Sequence, residues 1–187
     1  ETGGKIMLHD VEVLHDEAVS ELVSLTGQKR EVTFKSPTGS GKTYMMAGFM
    51  DRILAREKDV IFIVSSLSKS NLAGQNYDKF LEYQAHGEFR NISPYLINSD
   101  VSGEETLFIP TDYNVYVLPR DLYKEDSLLM RGPMVNFLQT VTSNLYGNGM
   151  NKRIYLIKDE CHQATNNVIY DSSRNNCNKE NCIYEAE

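Results

Sequence analysis

Two short runs of this chain hold residue types whose spacing could do chemistry on a polyphosphate. The first is Ser36-Pro37-Thr38-Gly39-Ser40-Gly41-Lys42-Thr43. Gly39 and Gly41 keep side chains out of the turn, so that consecutive backbone N–H groups can wrap a polyphosphate while the following helix points its positive N-terminal end at it. Lys42 then reaches the β- and γ-phosphates, and the Thr43 hydroxyl holds Mg²⁺. Thr38, Gly39, Ser40, Gly41, Lys42 and Thr43 are therefore the candidate nucleotide-binding residues, with ATP and Mg²⁺ as the expected cofactors. The strict pattern has Gly where this chain has Ser36. A glycine-rich turn that binds nothing is the competing reading, and Lys-Thr at a helix start after two glycines weighs against it.

The second run is Asp159-Glu160-Cys161-His162, delivered by Arg153-Ile154-Tyr155-Leu156-Ile157-Lys158, an apolar, β-branched stretch that reads as a buried strand. Parallel α/β sheets place ligands at the carboxyl ends of their strands. Asp159 is suited to hold the nucleotide's Mg²⁺ through water, and Glu160 to orient and deprotonate the water that attacks the γ-phosphate. Lys42, Asp159 and Glu160 are thus the candidate catalytic residues, and Thr43 and Asp159 the candidate metal-holding ones. Adjacent carboxylates at a strand end are individually common. Their pairing with the glycine-rich loop, in this order, gives them weight.

The elements that must position these residues read as helix 16–25, strand 31–35, the loop, helix 42–56, strand 59–65, helix 70–84, strand 92–98, strand 113–118, helix 126–145 and strand 153–158. Strands alternating with helices predict an α/β fold with a parallel sheet and helices on both faces. Residues 99–112 read as a surface insertion, and Gly147-Asn148-Gly149 as a turn.

Composition sets the bounds. With 187 residues the chain is one domain or slightly more, and 41% hydrophobic with 24% charged residues is ordinary for a globular protein. No stretch approaches the roughly 20 apolar residues of a membrane span. Three cysteines cannot all pair, and Cys161 lies within the acidic run, which favours a reducing, cytoplasmic setting. A net charge of −7 argues against a broadly basic surface that coats nucleic acid. It leaves room for a local path of amides and hydroxyls, to which Ser66, Ser68, Lys69 and Asn71 could contribute, with Ser70 or Asn71 as a simple helix N-cap the alternative. Cys177 and Cys182 could begin a metal site, but no second pair is spaced to finish one.

Taken together, Ser36-Pro37-Thr38-Gly39-Ser40-Gly41-Lys42-Thr43 and Asp159-Glu160-Cys161-His162 resemble motifs I and II of superfamily 2 helicases and translocases of the DEAD/DEAH-box (DExH) type. The likeness is closest to the helicase subunit of type III restriction enzymes, where an Asp-Glu-x-His-x-Ala-Thr-Asn stretch is familiar and this chain reads Asp159 to Asn166 accordingly. Val60 to Ser65 followed by Leu72-Ala73-Gly74-Gln75 is similar to motif Ia. The resemblance implies a three-layer P-loop NTPase (RecA-like) α/β domain with a mostly parallel central sheet over 1–170, and a polar tail or the start of a link over 171–187.

It further implies an ATP hydrolase lobe acting on nucleic acid, DNA rather than RNA, in a restriction-modification or phage-defence system. An RNA helicase lobe or an ATP-gated regulatory module stays open. The chain reads as an excised domain; a second RecA-like lobe with its arginines, a nuclease domain and a methyltransferase subunit are expected outside it, and no membrane partner. His162 is implied to couple the nucleotide site to the other lobe. In relatives a Gln ahead of the loop reads the adenine edge, whereas His15 stands there in this chain, so the adenine-reading residue is left open.

Overall fold

The computed structural model describes residues 8–66, 71–97, 109–119, 132–143 and 151–159. They fall into two compact units, Glu1–Lys58 with Lys79–Ile92 and Asp59–Asp78 with Ser93–Glu187.

The first unit is helical. Its helix α1 (Leu8–Thr26) contains neither Gly nor Pro, and begins eight residues before the expected position 16. It stops at Gly27, where Thr26 Oγ1 bonds back to the carbonyls of Leu22 at 3.0 Å and Val23 at 3.2 Å. Helix α2 (Lys42–Arg56) runs where the apolar spacing places it and buries Met45, Ala47, Gly48, Phe49, Met50, Ile53 and Leu54. Gly48 faces Val19 and Phe89, and a Cβ there would make ordinary van der Waals contact with both, 3.5 Å from Val19 Cγ2 and Phe89 Cε1. Arg52 of α2 forms an ion pair with Asp16 of α1 and donates to Ser20 Oγ at 2.6 Å. Asp16 is 65% exposed, so the pair contributes no more than about 1 kcal/mol. Deeper down, Asp51 Oδ1 accepts from the Asn91 backbone N–H at 2.8 Å and its side-chain amide at 3.1 Å. The expected strand 31–35 does not form. Residues 31–35 lie outside any sheet ladder, because their mixture of exposed charged and polar side chains finds no partner strand among the described residues.

The second unit is a parallel four-stranded sheet in the order β2-β3-β1-β4. Strand β1 (Val60–Ser66) is buried throughout, as is β3 (Val115–Leu118). Such continuous apolar runs suit parallel strands covered on both faces. Strand β2 (Pro94–Leu96) pairs with β3, and β4 (Arg153–Asp159) pairs with β1 from Val60↔Arg153 to Ser66↔Asp159. On one face Ile61, Ile63, Tyr116 and Leu118 pack with Met134, Phe137 and Val141 of helix α4 (Pro133–Thr142). On the other, Phe62 stacks on Tyr155 at 5.1 Å. Helix α3 (Leu72–Ala85) has its first half in this unit and its second half in the helical one.

Three further segments differ from the pattern their sequence suggests. The strand 153–158 is an edge strand among the described residues rather than a buried one, with Leu156 56% exposed. Of the helix 126–145, the described part starts only at Pro133, whose fixed φ and missing N–H suit the first helical position. The segment 99–112 is not wholly a surface insertion, since Ile109 is 4% exposed and joins the core cluster. Residues 98–108 and the turn at 147–149 lie outside the described residues.

Tyr116 ties that segment down by donating to the carbonyls of Pro110 at 2.7 Å and Tyr113 at 3.0 Å. Burial pushes its hydroxyl far above the usual tyrosine range, so it stays a neutral donor. Replacing Tyr116 by Phe should therefore cost about 1–2 kcal/mol in urea unfolding, the value of a buried hydroxyl's hydrogen bonding. Phe137→Ala, which empties the α4–sheet contact, should cost about 3–5 kcal/mol. A Tyr116→Phe loss as large as that of Phe137→Ala would mean that the ring, not the hydroxyl, is disturbed.

Candidate functional site

The loop before α2 is built from two left-handed residues. Ser40 N–H donates to the Pro37 carbonyl at 3.2 Å, closing a turn in which Gly39 takes φ +80°. A turn of this kind needs positive φ at its third residue, which glycine supplies without strain. Gly41 follows at φ 84°, ψ 28° as the N-cap of α2, and its carbonyl accepts the helix's Met45 N–H at 2.9 Å. Lys42 and Thr43 thereby open the helix, whose first turn carries no acidic side chain. The positive end of the helix dipole is not offset by a nearby carboxylate on its own first turn. Ser36, which stands where the strict pattern has Gly, bonds its hydroxyl to that of Ser40 and so staples the two ends of the loop.

A side chain from α1 meets this loop. His15 Nε2 lies 2.7 Å from the Ser40 carbonyl oxygen, and its ring centroid is 5.6 Å from that of Tyr44. Tyr44 is met at its edges by Tyr83, 5.4 Å away, and Phe89, 4.9 Å away. Burial, and then the negative charges of Glu88 and Glu12, raise the Tyr44 hydroxyl above its ordinary value, so it remains protonated. Spacing alone did not reveal these aromatic contacts, because Tyr83 and Phe89 come from a distant part of the sequence.

Asp159 lies in the sheet unit as the last residue of β4, in register with Ser66. Asn76 of α3 donates its amide to Asp159 Oδ2 at 2.9 Å. Asn76 was not singled out from the sequence, yet a signal exists: Ala73, Asn76 and Phe80 recur at helical spacing and are 4%, 2% and 0% exposed. A polar residue on an otherwise apolar stripe has to meet a partner. Ser66, suggested above as a polar nucleic-acid contact, is instead 1% exposed, and its hydroxyl has no hydrogen-bond partner among the described residues. Asn71 serves as the N-cap of α3, its carbonyl accepting from Gln75 N–H at 3.1 Å. Glu160, Cys161, His162, Ser68, Lys69, Cys177 and Cys182 lie outside the described residues.

The loop's donor set fits a Mg²⁺-nucleotide: two positive-φ glycines without Cβ atoms, then a Lys and a hydroxyl at a helix start. An all-parallel α/β sheet together with such a loop defines the P-loop class of α/β proteins. Residues 10–184 match the family model of the type III restriction enzyme, res subunit, and the chain belongs to that family, one of helicase-type ATPase domains. Neither a search of curated proteins nor one of solved structures found a match.

The two glycines differ in a testable way. A Cβ on Gly39 would meet nothing within 4 Å, whereas one on Gly41 would meet His15 Cε1 at 2.7 Å. Gly39→Ala should cost about 1–2 kcal/mol of left-handed strain in thermal or urea unfolding. Gly41→Ala should cost more, since it adds the collision with His15. The reverse order of stabilities would contradict this loop geometry.

Proposed function

We propose that this chain is the ATP-binding lobe of a nucleic-acid-dependent ATPase that moves along DNA, as the motor part of a restriction or phage-defence enzyme. The observation that carries this reading is the loop from Ser36 to Thr43, which leads through left-handed Gly39 and Gly41 directly into α2. Membership of the restriction res-subunit family supports DNA over RNA. The net charge of −7 fits a motor that grips its track locally by amides and hydroxyls. None of the described helices is long and apolar enough to cross a membrane, and the unpaired cysteine count favours a reducing cytoplasm. A second RecA-like lobe completes the site in this reading, and a methyltransferase subunit is a further partner.

The bound Mg²⁺-nucleotide supplies the phosphoanhydride to be cleaved and a cation that offsets its charge. The chain's residues do the rest. The loop from Thr38 to Gly41 shapes the phosphate cradle, and Lys42 places a positive charge where negative charge builds up on the terminal phosphoryl oxygens. On this reading Thr43 and Asp159 would be the residues that hold the cation, Asp159 through water, and Asn76 fixes one of the Asp159 carboxylate oxygens. Glu160 holds a water and takes its proton.

Lys42→Ala should lower Mg²⁺-ATP affinity by about 10- to 100-fold in calorimetry, the loss of one charge-assisted contact, without lowering the melting temperature. Unchanged affinity would count against the phosphate-loop assignment. In the enzyme carrying both lobes, Glu160→Gln should leave that affinity within about twofold and reduce turnover by at least about 100-fold, the usual size of a general-base contribution. Stimulation of the same enzyme's ATPase by duplex DNA but not RNA is expected; stimulation by RNA alone would replace DNA as the track.

A further inference from the structure

His15 reaches the phosphate loop from outside it. Its Nε2 lies 2.7 Å from the carbonyl oxygen of Ser40, and a carbonyl oxygen can only accept, so this nitrogen carries the proton and donates. The consequence passes through a rigid unit. No cis peptide bond occurs among the described residues, and in a planar trans peptide the C=O of Ser40 and the N–H of Gly41 point in opposite directions. Holding the carbonyl toward α1 therefore fixes the Gly41 N–H on the opposite side of the loop. The same ring also fills the space beside Gly41, where a Cβ would stand 2.7 Å from Cε1 and 2.8 Å from Nε2. Tyr44 backs the ring, held in turn at its edges by Tyr83 and Phe89.

A residue that would read a nucleobase needs its hydrogen-bonding groups directed at the base. In His15 the proton-bearing nitrogen is already committed to the main chain of the loop. We propose that His15 is a positioning residue for polyphosphate binding, one that sets the peptide between Ser40 and Gly41 and acts equally on any nucleoside triphosphate whatever its base. This inference rests on the nucleotide-binding reading of the loop.

The test compares Mg²⁺-tripolyphosphate with Mg²⁺-ATP as probes, by calorimetry on the 187-residue chain. His15→Phe keeps a ring against Tyr44 and Gly41 but has no donor; His15→Gln restores an N–H at similar reach. The Phe variant should lose affinity for both probes by the same factor, about fivefold, as one net hydrogen bond is worth. The Gln variant should recover to within about twofold of the unmutated chain on the same scale. A Phe variant that binds tripolyphosphate as well as the unmutated chain overturns the proposal. So does one that loses ATP alone, which is the mark of a base-reading residue. Lys42→Ala run alongside separates the two levels. If it too leaves tripolyphosphate binding untouched, the loop is no phosphate site and both readings fall, whereas if it weakens binding and His15→Phe does not, only the role of His15 falls. Should the Phe variant fail to fold, ¹⁵N-imidazole NMR of the unmutated chain decides: a ring that carries a proton on Nε2 and whose signal moves on adding tripolyphosphate supports the proposal, and a ring protonated only at Nδ1, or a signal that does not move, overturns it.

Discussion

The backbone of the helical unit has to turn left-handed twice within three residues and then coil right-handed into α2, and the other features of that region follow from this constraint. Left-handed φ values cost an L-residue about 1–2 kcal/mol each, which confines the two positions to glycine. Gly39 and Gly41 take φ +80° and +84°. Once they do, Pro37 and Ser40 close the turn, Ser36 and Ser40 staple it, and Lys42 and Thr43 are placed in the first turn of the helix. The missing Cβ at Gly41 is also what admits the ring of His15. One glycine thus meets two demands, a conformation and a close approach.

The sheet unit obeys a different rule. Its central strands β1 and β3 are apolar on both faces because a parallel strand between two neighbours has no solvated side. Polar residues are tolerated in β1 only where it ends, at Ser65 and Ser66, and that end lies in register with Lys158 and Asp159. The buried Ser66 hydroxyl and the buried Asn76 amide flank this carboxyl end of the sheet, where open α/β folds gather their ligands. Asn76 is paired with Asp159, whereas the Ser66 hydroxyl has no partner among the described residues, and burying a lone hydroxyl costs about 1–3 kcal/mol, so its presence there is better suited to function than to stability.

Aromatic packing links the phosphate loop to its own unit. Tyr44, one residue after Thr43, meets His15 on one side and Tyr83 and Phe89 at its edges. Edge-to-face pairs of this kind contribute about 0.5–1.5 kcal/mol each beyond their buried area. The first turn of α2 is therefore held by side chains from α1, from the second half of α3 and from the segment after it. Such support is what a loop needs if its N–H groups are to be aimed before a ligand arrives.

The sequence by itself determined the local facts. Glycine spacing, the Lys-Thr pair and the apolar period of residues 42–56 were enough to specify the loop, α2 and its bounds, and continuous apolar runs were enough for β1 and β3, because each depends on short-range sterics or on a pattern within one element. The tertiary structure decided whatever depends on a partner. Residues 31–35 read as a strand but join no ladder among the described residues, since a strand exists only when another chain segment supplies its hydrogen bonds. Residues 153–158 read as buried, yet among the described residues they form an edge, because burial is set by neighbours and not by the apolar character of the segment itself. His15 in the place of an adenine-reading Gln could be noticed in the sequence. That its proton goes to the carbonyl of Ser40, twenty-five residues away, could not, because a side chain's hydrogen-bond partner is chosen by the packing of α1 and not by anything in its own neighbourhood of sequence.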